Sequence, residues 1–158
     1  MIEIGDHVII DDFVFLDGGR GTTIGDYVHI AAHTAIMGGG SLIMEDFSGF
    51  SGGVRVYTGG DDYLGNYLTN PTIPDKYRGK YFSFIHMHKH ALIGSGCIVL
   101  APPEGLIVGE GAAVGAMSLV KDNLEPWTLY AGVPAKPIKS RNRERMLALE
   151  RQLREDLG

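Results

Sequence analysis

The chain of 158 residues predicts an all-β fold, a parallel β-helix of about five coils with one long corner insertion and a C-terminal α-helix. Three observations predict it. Apolar residues recur on a six-residue beat, as in IGDHVI-IDDFVF and IGDYVH-IAAHTA, and a fixed internal period outranks other sequence signals. Departures from the beat fall at one place in each coil. Glycine, 23 residues in all, is abundant enough for a chain that turns a corner every six residues.

The hexads open at Ile4, Ile10 and Leu16; Ile24, Ile30 and Ile36; Met44, Phe50 and Val56; Met87, Ile93 and Val99; and Val108, Val114 and Val120. Four places after the opening residue, the first two hexads of each coil carry Val8, Val14, Val28, Thr34, Ser48, Val54, Ala91, Cys97, Ala112 and Ser118, all small or branched. Openers and followers point into one narrow core. From the third hexad of one coil to the first of the next, the spacing is 8, 8, 31 and 9, so every insertion sits at the same corner of a triangular prism. Stacking coils about 4.8 Å apart pairs each short strand with those above and below. The division is a β-helix over 1–135, with an insertion over 57–86, and a basic tail with a helix over 136–158.

That helix is read from SRNRERMLALERQLREDL, where Met146, Leu149, Leu153 and Leu157 recur at helical spacing. The net charge of -5 argues against nucleic acid, yet it conceals an asymmetry. Residues 1–135 hold seven Lys or Arg against fifteen Asp or Glu, and residues 136–158 hold seven against four. Such a cationic end is either a solvated helix face or a phosphate site. No apolar run is long enough for a membrane span and no leader is evident, so a cytoplasmic location is the default expectation. The only cysteine, Cys97, is at an inward position and reads as a buried structural thiol.

The segment VGAMSLVKDNLEPWTLYAGVPAKPIKSR, and AGVPAKPIK above all, resembles the hexapeptide-repeat acyltransferases, in particular the sugar O-acetyltransferase branch of galactoside and maltose acetyltransferases. The resemblance covers residues 1 to about 141. It implies a left-handed β-helix, acetyl-CoA as co-substrate, no metal, and a homotrimer with each active site between two subunits. Lys136 and Lys139 match the family's basic positions, Ser95 and Ala116 match positions along the pantetheine track, and Lys121 lies at the turn before it. In galactoside-type enzymes the catalytic histidine follows the third hexad of the coil with the large insertion. Here the matching stretch is Thr58-Gly59-Gly60-Asp61-Asp62, and Asp61 stands in the histidine's place.

Acyl transfer from a thioester needs a base for the attacking hydroxyl or ammonium, and histidine suits neutral pH. His7 and His90 share a turn column with Tyr27 and Phe47 and read as corner packing; His88 falls above Glu45 as a carboxylate-histidine pair; His86 leaves the insertion. His29 and His33 flank Ala31, which matches an acceptor-contacting position of the family, and strand alternation puts all three on one side. His29 is therefore the expected base, with Asp61 or Asp62, from the same or the adjacent subunit, orienting it or binding the sugar, and with His33, Asp62 and Tyr63 as the acceptor-contacting residues. The aromatic, proline-stiffened insertion suits a sugar ring or a neighbouring subunit.

The expected function is acetyl transfer to a sugar or nucleotide sugar in surface polysaccharide, such as lipopolysaccharide, biosynthesis. O-acetylation is favoured over N-acetylation of an amino sugar. The competing reading, from another class, is a trimeric metal-dependent hydratase similar to γ-class carbonic anhydrase, suggested by the His86-x-His88-x-His90 run and by His29-x-x-x-His33; a purely structural trimer comes third.

Overall fold

The structure is a computed structural model, and it describes residues 1–157. Three parallel sheets form the faces of a prism. The first face stacks Ile2–Ile4, Gly21–Ile24, Ser41–Met44, Phe84–Met87 and Leu106–Val108. The second stacks Ile9–Ile10, His29–Ile30, Gly49–Phe50, Leu92–Ile93, Ala113–Val114 and Thr128–Ala131, and Lys136–Ser140 closes it as an antiparallel edge. The third stacks Phe15–Leu16, Ala35–Met37, Arg55–Tyr57, Ile98–Leu100 and Leu119–Val120.

Register follows the six-residue beat. Ile4, Ile24, Met44, Met87 and Val108 pair in one column, and Leu16, Ile36, Val56, Val99 and Val120 pair in another. From the second coil onward these openers are buried, Phe50 being the largest side chain among them. The first coil has a neighbour on one side only, which leaves Ile4 at 52% exposure. Cys97 is fully buried with its Sγ 3.1 Å from the Gly115 carbonyl, and burial pushes the thiol pKa up despite hydrogen bonds around Ser118.

The corner between the first and second faces explains the aromatic column. Strands this short force a left-handed residue at each turn, and His7, Tyr27, Phe47 and His90 take φ of 55°, 57°, 59° and 61°. Such angles are unfavourable for bulky residues. Stacking recovers part of that cost: ring centroids lie 4.6 Å apart from His7 to Tyr27, 4.9 Å to Phe47 and 5.1 Å to His90. Trp127 ends the ladder 6.0 Å from His90, and Gly111 occupies the intervening turn because a Cβ there would strike the indole.

Two expectations change. There are about six turns rather than five: Leu124 bridges to Val108 and Tyr130 pairs with Val114. That last turn escapes the hexad reading because Leu124 follows Val120 by only four residues and an aromatic replaces the aliphatic opener. Alternation also fails to carry His33 to the side of His29. The strand ends at Ile30, and His33 sits at a corner with φ 62°, stacked 5.1 Å from Phe13.

Helix α1 (Arg143–Leu157) starts with the Asn142 side chain accepting the Arg145 N–H at 3.0 Å. Met146, Leu149 and Leu153 face Phe47, His90 and Leu92 across a groove of about 340 Å³. Among the described residues no helix is long and apolar enough to cross a membrane.

Candidate active site

The insertion leaves the prism at the corner between the third and first faces. Gly59–Gly60 runs antiparallel to Tyr81–Phe82, so the loop begins and ends on a two-stranded stem. Glycine is required at the stem because a Cβ on Gly59 would meet the Gly38 and Tyr81 carbonyls. Asp61 follows at once. Its Oδ1 accepts from Arg78 Nη2 at 3.0 Å and its Oδ2 faces the Asn70 N–H at 3.4 Å. The Arg78 Nε is buried without a partner. Asp61, Arg78, Lys80, Tyr81 and the glycine pairs Gly38–Gly39 and Gly59–Gly60 line a recess of about 540 Å³, with Arg20 stacked 4.1 Å from the Phe82 ring at its edge. An ionised carboxylate on such a rim can hold an ammonium and take its proton, while the cations beside it suit phosphates.

Asp62 does different work. It accepts the backbone N–H groups of Leu64, Asn66 and Tyr67 at 2.9, 2.6 and 3.0 Å, and these bonds, the one from Leu64 foremost, hold its carboxyl below the usual range. It shapes the loop. Tyr63 beside it is 96% exposed.

The predicted residues sort onto two corners. His29 lies at the end of the second face, 54% exposed, with Nε2 3.1 Å from Asp11 Oδ2, which also accepts the Ala32 N–H at 3.2 Å. His33, Ser95 and Ala116 continue along this same corner, between the second and third faces. Asp61, Asp62, Tyr63 and Lys121 belong to the corner between the third and first faces. Lys121 has Asp122 at 3.8 Å. Within one chain the third face separates His29 from Asp61, so the structure does not bring the predicted base to the predicted orienting carboxylate. Lys136 and Lys139 stand exposed on the antiparallel edge of the second face.

The remaining positive charge of the tail is partly structural. Arg141 Nη1 donates to the Gly111 carbonyl at 2.6 Å, and burial lowers its pKa. Glu150 accepts from Lys89 Nζ, His90 Nε2 and Arg154 Nε at 2.8, 2.7 and 2.9 Å. This contact separates His90 from the other members of the histidine run. His86 Nε2 and His88 Nδ1 instead lie 2.7 and 3.0 Å from Glu45 Oε1, so the three-histidine set of a γ-class hydratase does not assemble from that run. The expected Glu45–His88 pair is present, and His86 joins it.

Hexad columns, a single insertion corner and a carboxylate-bearing recess beside cations define a hexapeptide-repeat β-helix protein with a polar candidate site at its insertion. No family model matches the chain. It is 43% identical over 150 residues to the dTDP-4-amino-4,6-dideoxy-D-glucose acyltransferase of Escherichia coli, spanning 94% of this chain and 76% of that protein. It is 31% identical over 125 residues to the protein of E. coli K12 named "Putative lipopolysaccharide biosynthesis O-acetyl transferase WbbJ", spanning 78% and 60%. Among solved structures it superposes with a TM-score of 0.89 and 42% identity on AntD, an N-acyltransferase from Bacillus cereus in complex with dTDP and 3-hydroxybutyryl-CoA, covering 99% of this chain and 81% of that one. Variants of AntD substituted at one serine, and at one aspartate ten positions further on, have been solved with coenzyme A and dTDP or dTDP-4-amino-4,6-dideoxyglucose. The chain belongs to the hexapeptide-repeat acyltransferase family and is an enzyme.

Proposed function

We propose that the enzyme transfers an acyl group, acetyl in the simplest case, from coenzyme A to the amine of a nucleotide-linked amino sugar. The observation that carries this reading is Asp61, a carboxylate where galactoside-type enzymes place an imidazole. An amine arrives as an ammonium, which a carboxylate pairs with and deprotonates, whereas a sugar hydroxyl calls for a stronger base. The free amine attacks the thioester carbonyl, and the coenzyme A thiol leaves as the tetrahedral intermediate collapses. The relatives that act on or bind dTDP-linked amino sugars support an amine over the hydroxyl favoured by the sequence alone. Ser51 and Asp61 are the one serine-aspartate pair of this chain at the spacing of the two substituted AntD positions. Ser51 was not singled out by sequence reasoning, since it resembles any small corner residue.

Ser51 shares the corner of His29, and Asp61 belongs to the other one. One site holding both is therefore completed between subunits, in a homotrimer where the insertion of one chain meets the second-face corner of the next. There His29 and His33 face the acceptor, Tyr63 covers it, Asp62 holds the loop in shape, and Ser95 and Ala116 line the pantetheine with Lys121 at the turn. Lys136 and Lys139 bind the phosphates of coenzyme A. A cytoplasmic role in surface polysaccharide synthesis fits the relatives and the cofactor.

The test measures thiol release from acetyl-CoA with dTDP-4-amino-4,6-dideoxyglucose, with other nucleotide amino sugars and with free sugars. Turnover is expected with the nucleotide-linked amines, and Asp61→Asn should lower kcat by about 100-fold or more. Activity on free sugar hydroxyls alone would overturn the acceptor assignment. A loss confined to His29→Ala would return the base to His29.

A further inference from the structure

The geometry points to a divalent transition-metal site formed by Glu45, His86 and His88, outside the acyl-transfer residues and independent of them. Glu45 lies just beyond the end of Ser41–Met44 on the first face, and His86 and His88 come from the strand directly above it and the residue after that strand. Their ligating atoms all lie within 4.8 Å of one another. Two imidazoles converge on one carboxylate oxygen, His86 Nε2 at 2.7 Å and His88 Nδ1 at 3.0 Å. Their rings are stacked with centroids 4.1 Å apart.

Chemistry and size both suit an ion. Two imidazole nitrogens and one carboxylate oxygen form a donor set for zinc, cobalt, nickel or copper rather than for magnesium or calcium. Tetrahedral ligands about 2.05 Å from zinc are spaced by about 3.3 Å. The two separations to Glu45 need to open by about 0.3 to 0.6 Å, and the two imidazole nitrogens, within 4.8 Å of each other, need to settle at the same spacing. The backbone holding them is fixed: the His88 N–H donates to the Val108 carbonyl at 2.9 Å, and the Lys89 N–H holds the second oxygen of Glu45 at 3.1 Å. All three side chains are partly open to solvent, leaving room for water at a fourth position.

Glu45 precedes the long insertion and His86 follows it, 41 residues later. A metal there would staple the third coil to the fourth across the segment whose closure costs most chain entropy.

The experiment uses tag-free protein stripped with chelator and titrated with Zn²⁺ by calorimetry and with Co²⁺ by absorption. One ion per chain with micromolar or tighter affinity, a tetrahedral Co²⁺ band and a rise in Tm are expected. Glu45→Gln, His86→Gln and His88→Gln should each weaken binding at least 10-fold, with folding checked by circular dichroism, while His7→Gln binds as the parent does. On unaltered protein, Zn²⁺ should shield His86 and His88 from diethyl pyrocarbonate, read by mass spectrometry. Binding no tighter than millimolar, or no shielding of these two histidines, would overturn the site and reduce the cluster to hydrogen-bonded side chains.

Discussion

Replacing Glu150 by Gln should loosen helix α1 from the prism without unfolding the coils. A helix of 15 residues is marginal in water by itself, so its order depends on docking. Glu150 is the charged centre of that docking, nearly buried, with Lys89 and His90 on the prism and Arg154 one helical turn away. Burial alone would raise its pKa; the hydrogen bonds from Lys89, His90 and Arg154 prevail and lower it from 4.5 to about 2. At 1.36 kcal/mol per pKa unit this favours the docked, ionised state by roughly 3 kcal/mol. Lys89 and Arg154 remain partly solvated, which screens the interaction to about 1–2 kcal/mol. Hydrogen exchange of the α1 amides, corrected for intrinsic rates, should therefore speed up about 5- to 30-fold in the variant at neutral pH, with the core strands unchanged. Because the folded value is depressed, the contribution is complete above pH 4.5 and disappears as pH falls from there towards 2. The parent protein should show the same loosening across that window, and the Gln variant should not show it again. Exchange in α1 within twofold of the parent at neutral pH would refute the reasoning and leave the apolar contacts of Met146, Leu149 and Leu153 as the whole anchor.

Two further outcomes follow from the same geometry. Changing Lys136 and Lys139 together to Glu should weaken coenzyme A binding about 10-fold or more, and more strongly at low salt; unchanged affinity by calorimetry would send the phosphates elsewhere. Gly40→Ala should cost about 1–3 kcal/mol in thermal unfolding, because the new Cβ has backbone on both sides, the Thr58 and Ser83 carbonyls, and neither can yield.

The hexad beat by itself determined the prism, its columns and the corner of its insertion. The physical reason is local: each six-residue unit places one opener and one small follower inward, and strand pairing repeats that choice in every coil. The stacked corner at His7, Tyr27, Phe47 and His90, the burial of Cys97 and the pairing of Glu45 with His88 were legible for the same reason. What lacks the period was not legible. The sixth turn uses Leu124 and Tyr130 out of step with the beat, and His33 turns a corner where alternation would have kept it on a strand. Only the tertiary structure showed that His29 and Asp61 occupy different corners, that Asp62 spends its oxygens on its own loop, and that His86 joins Glu45 while His90 turns to Glu150. Asp62 answers to neighbours within its own insertion, and the histidine pairings join residues 41 and 60 apart, so a repeat fixes where a residue stands in its coil without fixing what an insertion or a terminal helix brings to it.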